Sequence, residues 1–156
     1  FQNIYEKKWL NMMRDKLGLF GDNKDDKKLI NDLLNWMEKN KADYTNTFCY
    51  LMNIKIGNND LYNDKDFINW SNDWQKRIFL NNNSKAKSLE LMKNSNPIII
   101  PRNHKVEEAL IAANEDNLEV MNRLLTILNK PYDEQNDIES YQYPLNDKNY
   151  KTFCGT

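Results

Sequence analysis

The single histidine, His104, stands three and four residues ahead of Glu107 and Glu108. On a helix that spacing gathers an imidazole and carboxylates on one side, where a cation could bind. A metal site needs three or four converging ligands. The structural reading is favoured: Asn103 caps a helix, Glu107 and Glu108 sit well in its first turns, and Arg102 pairs with a carboxylate elsewhere.

The two cysteines, Cys49 and Cys154, are too few and too far apart for a disulfide framework or a four-ligand zinc site. Cys49 lies between Phe48 and Tyr50 and reads as core, with a bridge to Cys154 as the lesser alternative. Cys154 lies near the end of the sequence, with Lys151 as the nearby cation. It is either an inert thiol or a redox group. Trp70 and Trp74, with Phe67 and Ile78, could form a stacking platform for a base or sugar, but their helical spacing places them in a core. Asp133 and Glu134 are adjacent, so they do not converge on one substrate as a general acid and base would. With only 4 glycines there is no phosphate-binding loop, and neither a nucleophile elbow nor zinc spacing occurs.

The elements that would position these groups are helical. Tyr5, Trp9, Met13 and Leu17 recur at helical spacing, and Gly18 follows where a left-handed C-terminal cap is wanted. After the Gly21-Asp22-Asn23 turn, Leu29, Ile30, Leu33, Leu34 and Met37 form one stripe, with Asp25 and Asp26 at the positive end of the helix dipole. Asp43 caps a third helix carrying Phe48, Leu51 and Met52. Asp64 or Lys65 begins a fourth, and Ser84 caps a fifth with Leu89 and Met92. Pro97 and Pro101 bracket Ile98, Ile99 and Ile100, which read as an extended run over a core because proline removes donors at both edges. A helix from Asn103 to about Ala113 and another carrying Leu118, Met121, Leu124, Leu125 and Leu128 form a helical hairpin. From Pro131 onward tyrosines occur without periodicity, which predicts an extended tail that docks through its aromatics.

A chain of 156 residues is the size of one domain, able to bury about 70% of its unfolded surface. Its 22 basic and 23 acidic residues are interspersed, with a pI near 5.9, which argues against a nucleic-acid platform. A mean hydropathy of -0.88 beside 4 Trp, 8 Tyr and 6 Phe fits a folded domain with a polar surface. No apolar run approaches the roughly 18 residues of a membrane span, and no signal-peptide layout is present, so a soluble, cytoplasmic protein is expected. Phe1 opens directly into a helical pattern without Met or cap, from which a longer parent chain is expected.

Four patches carry a family likeness: Met13-Arg14-Asp15-Lys16-Leu17-Gly18; Ala42-Asp43-Tyr44-Thr45 with Phe48; the segment Asn96 to Glu108; and Pro131-Tyr132-Asp133-Glu134 with the ending Cys154-Gly155-Thr156. In order and spacing they resemble the C-terminal third of the selenoprotein O family, pseudokinase-fold protein adenylyltransferases. The resemblance implies that the parent chain transfers AMP from ATP to protein hydroxyl groups with magnesium or manganese. It also implies that the ATP-clamping, metal-binding and catalytic residues belong to earlier motifs without counterpart here. No catalytic, cofactor or metal residue is therefore carried over. Cys154 sits where family members place selenocysteine or cysteine, thought to pair with a cysteine of the kinase-like body. This chain's Cys-Gly-Thr ending departs from the Cys-Ser-Ser common elsewhere in the family.

The expectation is an all-α fold, an irregular bundle of six to seven helices over residues 1–130 with an extended tail over 131–156. Its expected role is a non-catalytic C-terminal region that supports or redox-regulates an upstream kinase-like domain. Its partners are then that domain and the parent enzyme's protein substrates, without nucleic acid or membrane. Arg102, Asn103 and His104 are candidate contacts to the upstream body, and an apolar patch should be left exposed where that body packs. The alternative is an independent helical module that binds partner proteins through a groove.

Overall fold

The computed structural model describes residues 2–57, 59–80 and 84–145. Every regular element among them is helical, and the chain divides after Asn96 into two compact units. The first holds α1 (Gln2–Lys16), α2 (Asp26–Asn40), α3 (Tyr44–Leu51), a 3-10 turn (Asp60–Asn63), α4 (Lys65–Phe79) and α5 (Lys85–Ser95). The second holds α6 (Asn103–Asn114), α7 (Glu119–Leu128) and the short α8 (Glu139–Gln142).

The helix ends in the first unit follow local chemistry. Asp43 accepts from the Asn46 amide at 2.8 Å, Asp64 from the Asp66 and Phe67 amides at 3.0 and 3.1 Å, and Ser84 from the Lys87 amide at 3.2 Å. Each supplies an acceptor to amides that have no partner within the first turn. Gly18 ends α1 with φ +67°, and a Cβ there would stand 2.6 Å from the Ser88 carbonyl oxygen of α5. Only glycine meets both the left-handed backbone and the close approach of α1 to α5.

Within this unit α2 packs along α4 and α1 along α5. Met13, Leu17, Ile30, Leu33, Phe48, Met52, Phe67 and Met92 are buried between them. Trp70 and Trp74 stack with centroids 5.9 Å apart. Their indole N–H groups donate to the Leu29 and Leu17 carbonyls at 2.8 and 2.9 Å, so both rings are core with satisfied polar edges. Tyr5, grouped with the core stripe from its spacing, instead faces outward, while Met13 and Leu17 are buried.

In the second unit α6 packs on α7 as a hairpin, with Ala109, Leu124 and Ile127 buried. Ile98 and Ile99 are buried in an irregular stretch whose Ile98 amide donates to the Pro131 carbonyl at 2.8 Å. Arg102 occupies the cap position of α6 and Asn103, expected as the cap, is the first helical residue, so the helix starts one step earlier than the sequence suggested. The early part of the aperiodic segment is anchored mainly by side chains other than tyrosine, with Tyr141 half-buried beside Lys105. Gln135 donates to the Ile127 and Lys130 carbonyls at 3.0 and 2.8 Å, Ile138 is buried, and Gln142 donates to the Ile98 carbonyl at 3.0 Å. Tyr132 and Tyr143 remain exposed.

Candidate functional site

The most constrained polar cluster sits where α1, the α1–α2 turn and α4 meet. Asp26, fully buried, accepts from Arg77 Nε at 2.6 Å and Nη2 at 3.2 Å, and from Arg14 Nε at 2.7 Å. The Asn23 amide adds a fourth donor at 3.1 Å. Arg14 reaches on to Asp22 at 2.7 Å, and Arg77 Nη2 donates to the Phe20 and Gly21 carbonyls at 3.1 and 3.0 Å. Two guanidiniums thus face two carboxylates, and the turn that links α1 to α2 is tied to α4. Burial alone would raise the Asp26 pKa, but donation from Arg77 and Arg14 outweighs it and holds the carboxyl below its ordinary value. Every charge in the cluster is answered within it, so its chemistry is that of a structural anchor.

Sequence periodicity missed this anchor, although one signal was present. Arg14 lies beside Met13 on the inward face of α1, and Arg77 lies between Trp74 and Ile78 on that of α4. An arginine on a core-facing stripe needs a buried partner.

An open groove of about 400 Å³ between α2 and α4 is lined by Asp32, Asp66 and Asp73 with Trp36, Trp70 and Lys39. Its acids are paired: Asp32 with Lys28 at 2.6 Å, Asp66 with Lys39 at 3.4 Å and Asp73 with Lys76 at 2.8 Å. The groove therefore lacks the unanswered charge that a substrate-binding cleft presents. Among the described residues, no group of three or more His, Cys, Asp or Glu side chains could hold a metal ion.

Cys49 is buried in α3, and Cys154 and Lys151 lie outside the described residues. Arg102 Nη2 donates to the Gln142 carbonyl at 2.9 Å, which joins the start of α6 to α8. Asn103 is exposed and His104 half-buried on the first turn of α6. Lys105, next to them, lies over the Tyr141 ring at 5.6 Å and pairs with Glu108 at 2.8 Å. Asp133 and Glu134 are exposed on a turn closed by the Asp133 amide donating to the Lys130 carbonyl.

What the second unit does present is apolar surface. Leu118 and Leu125, seven residues apart and therefore on one side of α7, are 58% and 52% exposed. Met121 and Leu128 continue that side half-buried. On α6, Leu110 and Ile111 are exposed as well. No helix among the described residues is long and apolar enough to cross a membrane.

Against known proteins, residues 1–129 match the family described as protein adenylyltransferase SelO. A protein nucleotidyltransferase YdiU from Pelagibacter ubique is 52% identical over 158 residues, covering 100% of this chain and 33% of that protein. Proteins of the same name from Bacillus cereus and Bacillus cytotoxicus are 48% and 44% identical, again over 100% of this chain and about a third of their own length. The chain spans about a third of the length of the curated relatives it matches, and that share is their C-terminal third.

Proposed function

This chain belongs to the protein adenylyltransferase SelO family, and we propose that it is the C-terminal helical part of an enzyme that moves AMP from ATP onto hydroxyl side chains of other proteins. One observation carries the reading: relatives named protein nucleotidyltransferases match this chain from end to end, while it accounts for only 33% of the first of them. In such a transfer the hydroxyl oxygen bonds to the α-phosphorus, pyrophosphate leaves, and the hydroxyl proton passes to a base. Magnesium or manganese would supply charge neutralisation on the phosphates. In this reading ATP, metal and base belong to the upstream kinase-like part, and no step is routed through this segment.

The segment's own contribution is support. The Asp26 anchor and the hairpin hold helix faces in fixed positions, and the apolar side of α7 offers the upstream part a surface to pack on. Arg102, Asn103 and His104 lie at the α6 terminus, where they too would meet that body. Cys154 adds a redox tether: its thiol and a cysteine of the kinase-like body lose two protons and two electrons to a peroxide or a disulfide oxidant and form one S–S bond.

The test is intact-mass analysis of the complete enzyme and its protein targets, incubated with ATP and manganese. Wild type is compared with Cys154→Ser under reducing and oxidising conditions. An AMP-sized mass increment supports the transferase reading, and its loss on oxidation in wild type alone makes Cys154 the switch. No increment under any condition leaves the segment as a protein-interaction module.

A further inference from the structure

We infer that α1 is an interdomain helix whose outward face is covered, in the complete protein, by the upstream part of the same chain; the inference rests on the reading above that such a part exists. The helix carries apolar residues on two opposite sides. Met13 and Leu17 point into the first unit and are buried, with Trp9 and Leu10 half-buried beside them. At about 100° per residue, Ile4, Lys8 and Met12 lie on the side away from them together with Asn11 and Asp15, and Tyr5 stands at the edge of that side next to Trp9. There Ile4 is 63% exposed, Tyr5 66% and Met12 48%. Asn11 and Asp15 share that side, so it is a mixed surface in which three large apolar side chains stand among polar ones, the make-up of an interface with a polar rim.

The choice of occupant follows from connectivity. The relatives match this chain over its whole length, α1 included, and two thirds of their length precedes the matching segment. α1 is thus the element next to the join, and covalent attachment gives the upstream part a high effective concentration at that face. Lys8 within the same stripe suits the rim of an interface, with its stem on apolar surface and its ammonium in water.

Hydroxyl-radical footprinting of the full-length enzyme, read by peptide mass spectrometry, tests this without substitution, because Tyr and Met side chains are themselves reactive reporters. Met12 and its neighbour Met13 form an internal comparison, since this segment leaves one 48% exposed and the other 1%. If α1 is covered, Met12 and Tyr5 will be oxidised about tenfold more slowly than in the urea-unfolded chain, matching Met13. Met12 reacting within about twofold of the unfolded chain while Met13 stays protected would overturn the inference. Protection that fades on dilution would assign the face to a second copy and overturn it equally. Because AMP transfer is read separately, an active enzyme with an accessible Met12 refutes the docking face alone, and an inactive one with a protected Met12 refutes the activity alone.

Discussion

Asp26 shows how much a single residue can organise here. It receives four hydrogen bonds, three from guanidinium nitrogens, with no exposure to water. Replacing it by Ala leaves Arg14 and Arg77 facing each other around a vacated site, which costs about 3–5 kcal/mol, the range for breaking a buried pair. Urea unfolding of Asp26→Ala against wild type measures that loss. The pH dependence follows from the lowered folded-state pKa. The carboxyl's contribution is whole above the unfolded value, about 3.9, and is lost as pH falls through the folded value. Wild type will therefore lose stability on acidification below about pH 4, and Asp26→Asn will flatten that slope. Little of this was legible in the sequence, because Asp26 meets partners 12 and 51 positions away. Periodicity reports which face a residue occupies, not which charge it meets there.

At the scale of elements, helix ends were easier to read than helix contacts. Asp43, Asp64, Ser84 and Gly18 were assigned from residue type, since capping is satisfied within three residues of the chain. The faces of α4 were equally legible, whereas Tyr5 on α1, in register with Trp9 and Met13, is exposed, because register near a helix end does not reveal whether a neighbour covers it. α8 escaped notice because nothing periodic marks it. It is held by tertiary bonds from Gln142 and Arg102. Two substitutions separate these causes. Gly18→Ala imposes a left-handed alanine and a 2.6 Å approach to the Ser88 oxygen, and will lower stability by roughly 1–3 kcal/mol or more in thermal unfolding. Gln142→Ala removes the bond to Ile98 but keeps the backbone acceptor for Arg102. Its effect will be local, with amide exchange around α8 faster by about fivefold to tenfold and the global midpoint nearly unchanged.

For the whole molecule, the question is why a chain with a polar mean hydropathy of -0.88 leaves large apolar side chains outside. Leu118, Leu125, Leu110 and Ile111 in the second unit, and Ile4, Tyr5 and Met12 in the first, are all about half exposed or more. Single exposed leucines are ordinary, but an exposed row along one side of α7 is a surface that its own hairpin does not use. The proposed packing of an upstream part on these faces would account for them, since this chain spans about a third of its relatives. The consequence is a context-dependent substitution. Leu125→Asp in this segment alone replaces a half-exposed side chain and should change stability by no more than about 0.5 kcal/mol. In the full-length protein, if the proposed packing holds, the same change places a carboxylate where a leucine is covered, and should cost roughly 1.5–3 kcal/mol together with part of the proposed AMP-transfer rate. Denaturant unfolding of both forms gives the two values. Equal small costs would mean that α7 faces water in the complete enzyme and that its apolar side serves a separate partner.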